Sequence, residues 1–387
     1  MKKQLFYFYA LGILILFSCS NSSQNLKSEQ DSIRVSIDTI VIKISANEQP
    51  YYYAVDGYID KLTKHPIFIG YNHYSHSFDH FDIVDKKLAK KIVLEERGPN
   101  GIPMNGTFKF IKNDTIIYRN QDRLFILDLE GRVQKRINLF DFIENTDYLF
   151  RRGGITLTSP SNNIIFENGE LYSSILHREY FYWDDLFYNQ SFIARINIGN
   201  GHIKYLNTKY PSEASSENQF GQLLTPFTLI VDNYLIYNFP FSSKIFRLNL
   251  ETQKLEEFDV QSAYTENTCN PLKTRVNFNM PERERTTIES DQFLSTAFFH
   301  KVVYDNYRNV FYRIHNGPHQ NKGVTKGKYY LCVFDTEFKK IGEVELDSKL
   351  YLNNYFLTDD GLVIQIANND NIKDIDKLKL CRVKIDY

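Results

Sequence analysis

A degenerate repeat runs through the body of the chain, and it narrows the range of folds more than any other property of the sequence. Its clearest copy has β-rich runs at Phe227–Val231, Tyr234–Asn238, Lys244–Leu250 and Lys254–Val260, with turns at Asp232-Asn233 and Glu251-Thr252. A second copy runs from Phe108 through Leu139, with turns at Asn113-Asp114 and Glu130-Gly131. A third runs from Asn163 through Asn207, with turns at Asn168-Gly169 and Gly199-Asn200-Gly201. Weaker copies cover Tyr52–Leu94, Ala297–Leu346 and Tyr351–Asp386. Short apolar runs separated by Asn, Asp and Gly are the signature of tightly connected antiparallel strands. Six copies of four strands predict an all-β, six-bladed β-propeller. A copy takes roughly 56 residues against about 40–45 for a compact blade, so the loops carry insertions.

The last copy supports a closed ring. Its strands at Tyr355–Leu357, Leu362–Ala367 and Leu378–Ile385 leave a fourth place vacant when the chain stops at Tyr387. A spare alternating strand, Ile33–Ile37 through Ile40–Ile44, precedes the first copy. The expectation is that this N-terminal strand completes the last blade and removes two open sheet edges. A β-sandwich or a pair of domains is the alternative arrangement of the same strands.

The N-terminus gives an address. Lys2 and Lys3 precede an apolar run, Leu5–Phe17, that is too short to span a bilayer comfortably and reads as a secretory signal. It ends Leu16-Phe17-Ser18-Cys19, which resembles the bacterial lipobox, in which the Cys is acylated and becomes the mature N-terminus. An ordinary cleaved signal followed by a free Cys is the competing reading. The expected organisation is a signal peptide at 1–18, a polar tether from lipidated Cys19 at 19–32, and a propeller at 33–387. The predicted partner at this end is the membrane, reached through the lipid. No acidic run follows Cys19, which leans toward an outer-membrane anchor facing the periplasm rather than the cell surface. Beyond Cys19 only Cys269, Cys332 and Cys381 remain, so at most one disulfide can form. Lys+Arg 46 against Asp+Glu 47 leaves no basic excess of the sort nucleic-acid binders carry.

The stretch Glu95-Glu96-Arg97-Gly98-Pro99-Asn100-Gly101, followed by a strand, a turn and Leu124–Arg132, resembles a pattern in six-bladed propeller lipoproteins of Bacteroides-type bacteria. It looks most like domain-of-unknown-function family 4221; TolB-like propeller lipoproteins are the second resemblance. The first implies a lipobox, a similar length and the propeller fold. It implies no activity, because the family's role is itself unknown.

Repeat phasing sorts the loops. Those joining strands 2–3, and one blade to the next, emerge on one face and are long: Glu95–Thr107, Asp141–Ser161, His177–Ser191, Lys209–Pro226, Gln261–Phe293 and His315–Lys328. The 1–2 and 3–4 turns on the opposite face are tight. Long loops on a rigid scaffold are where recognition is placed. The insertion His177–Tyr188 holds the only Trp amid five Tyr or Phe, so Tyr182, Trp183, Asp184 and Asp185 are candidate ligand contacts. The same residues could instead form a short helix or hairpin with its own small core. Arg97, Arg151, Arg152 and Arg178 could meet an acidic ligand on this face, or simply form ordinary ion pairs. His73, His76 and His80 invite a metal reading, but alternation puts His76 and His80 on one strand face while His73 stays in the loop. His315 and His319 form a weaker pair of the same kind. Glu282-Arg283-Glu284-Arg285 reads as solvated charge on a long loop.

Two function classes follow. One is a non-catalytic binding or scaffold propeller, monomeric and without a cofactor, taking a glycan, peptide or envelope protein. The other is an envelope hydrolase or lyase with a carboxylate or metal site at the channel mouth. A glycosidase needs two carboxyls about 5–10 Å apart, and Glu95, Glu96, Asp122, Asp184 and Asp185 are candidates. No G-x-S-x-G elbow or Cys/His nucleophile arrangement is present. The binding reading is the expectation.

Overall fold

The computed structural model describes residues 33–111, 115–150, 164–318, 328–346, 350–366 and 375–386. The signal at 1–18, the tether with Cys19, and Arg151, Arg152 and His319 lie outside the described residues. Among the described residues, twenty-five strands form six antiparallel sheets arranged as the blades of a propeller. Blade 1 is β2 (Val55–Ile59), β3 (Pro66–Asn72), β4 (Ser77–Asp82) and β5 (Lys87–Val93). Blade 2 is β6 (Thr107–Ile111), β7 (Thr115–Asn120), β8 (Arg123–Leu127) and β9 (Val133–Asn138). Blade 3 has β12 (Glu170–His177), β13 (Ile193–Asn197) and β14 (Ile203–Tyr205). Blade 4 is β15 (Phe227–Val231), β16 (Tyr234–Asn238), β17 (Lys244–Asn249) and β18 (Leu255–Asp259). Blade 5 is β19 (Phe298–Asp305), β20 (Val310–Asn316), β21 (Tyr329–Phe334) and β22 (Lys340–Leu346). Blade 6 is β23 (Leu350–Thr358), β24 (Gly361–Ile366) and β25 (Lys377–Asp386), completed by β1 (Arg34–Lys43).

The apolar runs are continuous because most strands are buried on both faces. Successive side chains point to opposite sides of a sheet, and here each side is a different interblade core. In β7, Ile116 joins the core shared with blade 1 while Ile117 joins the core shared with blade 3. In β24, Leu362 faces blade 5 and Val363 faces blade 1. Each of the six junctions between neighbouring blades has such a core, so the ring has no open side.

Closure follows the expected route. β1 pairs antiparallel with β25 from Arg34↔Asp386 to Lys43↔Lys377. Ile40 and Ile42 of β1 enter the core between blades 6 and 1, with Tyr52, Phe68, Phe81, Leu378 and Leu380.

Two loops differ from the sequence reading. The 141–161 connection contains a one-turn helix, Phe140–Ile143, and a strand, β10 (Tyr148–Phe150). The innermost place of blade 3 is thereby divided: β10 pairs with the His177 end of β12, and β11 (Ile165–Glu167) pairs with its other end. The Glu282-Arg283-Glu284-Arg285 run is the first turn of a 14-residue helix, Glu282–Ser295, rather than loop. Acidic residues in a first turn suit the helix dipole.

Candidate functional site

Three insertions pack together above blades 3 and 4, on the face where the long loops emerge. They are the 2–3 loop of blade 3 (178–192), the connection from blade 3 to blade 4 (206–226), and the connection from blade 4 to blade 5, which carries the helix Glu282–Ser295. Aromatics weld them to the ring: Phe187, Phe192, Tyr210, Phe220, Phe239 and Phe241 share one buried core. Phe220 stacks on Phe241 at 4.1 Å between ring centroids.

The candidate ligand residues take distinct positions within it. Tyr182 donates its hydroxyl hydrogen bond to Glu289 on the helix at 2.5 Å, and Tyr188 donates to the Tyr182 carbonyl at 2.7 Å. Burial, aided by the Glu289 carboxylate, pushes the Tyr182 hydroxyl well above the usual phenol range. Asp184 accepts from the Phe181 backbone N–H at 2.8 Å and shapes the turn. Asp185 opens a 3-10 helix, Asp185–Asn189, and accepts from the Ser216 hydroxyl. Trp183 is half-buried and stacked on Phe181, with centroids 4.8 Å apart and planes at 14°. The Arg285 guanidinium lies 5.5 Å from the Trp183 ring centroid. Phe181 is 43% exposed, so the stack presents an aromatic surface to solvent beside a guanidinium and carboxylates. The insertion thus does two things: Tyr182, Phe187 and Tyr188 hold it down, and Phe181, stacked on Trp183, faces outward.

The arginines divide in the same way. Arg178 donates to the Thr146 and Ile143 carbonyls at 2.9 and 3.1 Å, terminating the one-turn helix. Arg97 is exposed. It lines a surface groove at blade 2 with Glu96, Arg123, Arg136 and Asp141.

The three histidines do not converge. His76 is buried between the Tyr71 hydroxyl at 2.7 Å and the Ile102 carbonyl at 2.9 Å, so both ring nitrogens are engaged. Four residues on from His76, which sits in the turn before β4, His80 lies within that strand against Phe110. Burial, with Lys90 adding to it, holds its pKa down to about 3. His73 sits in the loop beside Gln49.

A different cluster forms where blade 4 meets blade 5. Glu343 accepts from Ser262 Oγ at 2.6 Å and from the Ala263 N–H at 2.9 Å. His315 Nε2 lies 3.0 Å from the same carboxylate and 2.9 Å from Ser262 Oγ. Burial alone would raise the Glu343 pKa, but hydrogen bonds from His315, Ala263 and Ser262 bring it down to about 2. The residues have the names of a hydrolytic triad but not its geometry. In a triad the carboxylate orients the ring through Nδ1 while Nε2 takes the serine proton. Here the carboxylate and the serine share Nε2, and Nδ1 is buried without a partner among the described residues. Cys332 completes a buried His/Cys/Glu group whose ligand atoms lie within 4.8 Å of one another. Lys340 sits 3.2 Å from Glu343, so a positive charge already neutralises the carboxylate. The arrangement is a lock between blades.

Sequence reasoning missed Arg285, Glu289, Ser262 and Glu343. The first two lie on the helix read as a loop; the last two meet only across 81 positions of sequence.

The comparisons agree with this architecture. A family model described as Domain of unknown function (DUF4221) matches residues 23–345. A crystal structure of a DUF4221 member from Bacteroides vulgatus superposes with a TM-score of 0.74 at 17% identity, over 92% of this chain and 99% of that one. A Bacteroides fragilis protein described as a candidate exported protein superposes with a TM-score of 0.51 at 11% identity, over 91% and 96% of the two chains. No curated protein matches. Among the described residues, no helix is long and apolar enough to cross a membrane. With the family model matched over most of its length and the six-bladed ring shared with a family member, this chain belongs to the DUF4221 family.

Proposed function

We propose that the protein is a lipid-anchored envelope binding module, held by Cys19 at the outer membrane, whose long-loop face takes a saccharide without transforming it. The observation that carries this reading is the Phe181–Trp183 stack, exposed on one side and fixed beneath by the Tyr182–Glu289 hydrogen bond. Sugar rings present apolar C–H faces that lie flat on aromatic surfaces, with hydroxyls free to bond flanking charges. Arg285 and Asp184 stand beside the stack in those roles. The insertion is braced by two others, so its shape is set before a ligand arrives, which lowers the cost of binding.

A thermal-unfolding screen of the full chain against saccharides, peptidoglycan fragments and peptides tests this, since a ligand of the folded state raises the melting temperature by mass action. A saccharide shift lost in Phe181→Ala and Trp183→Ala supports the reading. A shift given only by peptides, or a saccharide shift that both variants retain, contradicts it. Membrane release of a Cys19→Ala variant tests the anchor separately.

A further inference from the structure

The Glu95–Gly101 stretch, which carries the family resemblance, joins blade 1 to blade 2, whereas the aromatic stack stands above blades 3 and 4. The fold gives this stretch a shape of its own. Its chain turns back on itself: the Gly101 N–H donates to the Gly98 carbonyl at 3.0 Å, and the Ile102 N–H donates to the Glu95 carbonyl at 2.8 Å. Gly98 takes a φ of +84°, and a Cβ on Gly101 would come within 2.9 Å of the Arg97 backbone, so both places call for glycine. Arg136 of β9 pins the turn to blade 2, donating through Nη2 to the Pro99 and Gly101 carbonyls at 2.5 and 3.1 Å. The turn that carries Arg97 is therefore set before any ligand arrives.

Arg97 meets two more guanidinium groups there. Arg97, Arg123 and Arg136 line one surface groove of about 830 Å³, within the roughly 300–1,000 Å³ typical of small-molecule sites. The register of β8 and β9 places Arg123 opposite Asn138 and Phe125 opposite Arg136. Arg123 and Arg136 are thus diagonal neighbours, about 7–8 Å apart, on one face of the sheet. Phe125 is buried beneath, with the Arg136 guanidinium 5.9 Å from its ring centroid. Arg97 and Arg123 are exposed and make no hydrogen bond or ion pair among the described residues. Every lining residue, with its neighbours in the chain, lies among those residues. Two carboxylates share the groove, Glu96 and Asp141. Asp141 accepts from Asn138 Nδ2 at 2.6 Å through Oδ1, which leaves its Oδ2 for another donor.

We propose that this groove is a second binding site, separate from the Phe181–Trp183 stack, for a carboxylated saccharide of the uronate class. A guanidinium pairs with a carboxylate through two parallel N–H···O bonds, and several guanidiniums in one groove suit an oligomer with a carboxylate on each sugar. Glu96 and Asp141 oppose a bare polyanion, but they accept hydrogen bonds from the hydroxyls of such a sugar. Leu124, Phe125 and Ile137 are buried behind this polar surface, which suits a hydroxylated ligand better than one with apolar side chains.

Isothermal titration calorimetry of the full chain with trigalacturonate, maltotriose and triglutamate tests the assignment. Trigalacturonate is expected to bind, and maltotriose and triglutamate at least tenfold more weakly. The double variant Arg97→Gln/Arg123→Gln is expected to weaken trigalacturonate at least tenfold, with thermal unfolding confirming that it folds. Should it fail to fold, Arg123→Gln alone replaces it, with a several-fold loss expected. No heat from millimolar trigalacturonate, equal affinity for maltotriose or triglutamate, or an unchanged affinity in the arginine variant overturns the proposal. Trigalacturonate binding that is lost in Trp183→Ala but kept in the arginine variant overturns it as well, while leaving the aromatic face standing.

Discussion

Ile42→Ala isolates the closure of the ring. Ile42 is 0% exposed and lies in the core between blades 6 and 1, while Ile37, on the same strand, is 40% exposed. Truncating a fully buried Ile costs about 2–5 kcal/mol, the transfer term plus the cavity left behind. For a ring that unfolds as one unit, an unfolding entropy of about 2.1 cal/mol/K per residue converts 3 kcal/mol into roughly 4 °C. Urea midpoints resolve the difference better. Ile42→Ala should lower the midpoint clearly, and Ile37→Ala should move it by under about 1 kcal/mol. Removing 33–45 takes away Ile33, Ile40 and Ile42 together. At about 2–4 kcal/mol each, the loss is of the same order as the ~5–15 kcal/mol that holds a whole domain. It also exposes the edge of β25, the ten-residue strand that β1 covers. A mild effect of the deletion, or equal effects of Ile42→Ala and Ile37→Ala, would refute the reasoning that β1 shuts the ring.

Other outcomes follow from the same packing. Glu343→Ala should cost about 3–5 kcal/mol in urea unfolding, because it strips the buried Ser262 and His315, and the exposed Lys340, of their common acceptor. Stability should fall in acid. His80, held down to about 3 by burial, cannot take the proton that the unfolded chain accepts below about pH 6.5. Its contribution is present above 6.5 and lost as the pH falls toward 3, at up to about 1.4 kcal/mol per pH unit. Urea midpoints of His80→Leu measured from pH 7 to pH 4 should show a shallower slope than wild type. Glu343, held near 2, adds a second loss as the pH falls from about 4.5 toward 2. At Gly70, an added Cβ would overlap the ring of the buried Tyr52, so Gly70→Ala should destabilise by several kcal/mol.

How much of this was legible in the sequence depended on the range of the interactions. The blades were legible because each needs only local signals: β-rich runs such as Leu229–Val231 and Tyr234–Tyr237, and turns whose residues tolerate a positive φ, as Asp232 and Asn168 do. Closure was legible as arithmetic, three strands at one end and a spare at the other. The 282–295 helix was not. Its sequence, ERERTTIESDQFLS, has no apolar stripe, since the helix lies on the cap with most of its surface in solvent. Its consequences were hidden with it: the partner of Tyr182 is 107 residues away, and Arg285 reaches Trp183 only through tertiary packing. The divided inner strand of blade 3 was also invisible, because a three-residue strand such as Tyr148–Phe150 carries no period. Arg178 shows the limit from the other side: an arginine in a recognition loop reads as a ligand contact until its carbonyl partners are seen.

The central claim, binding on the long-loop face, is tested most directly by hydrogen exchange on the full chain with and without a saccharide that passes the unfolding screen. The account predicts slowed exchange in 178–192 and 282–295, the segments that carry Trp183 and Arg285, with the turns of the opposite face unchanged. Protection confined to those opposite turns, around Asn168-Gly169, Asp232-Asn233 and Asp359–Gly361, would contradict it.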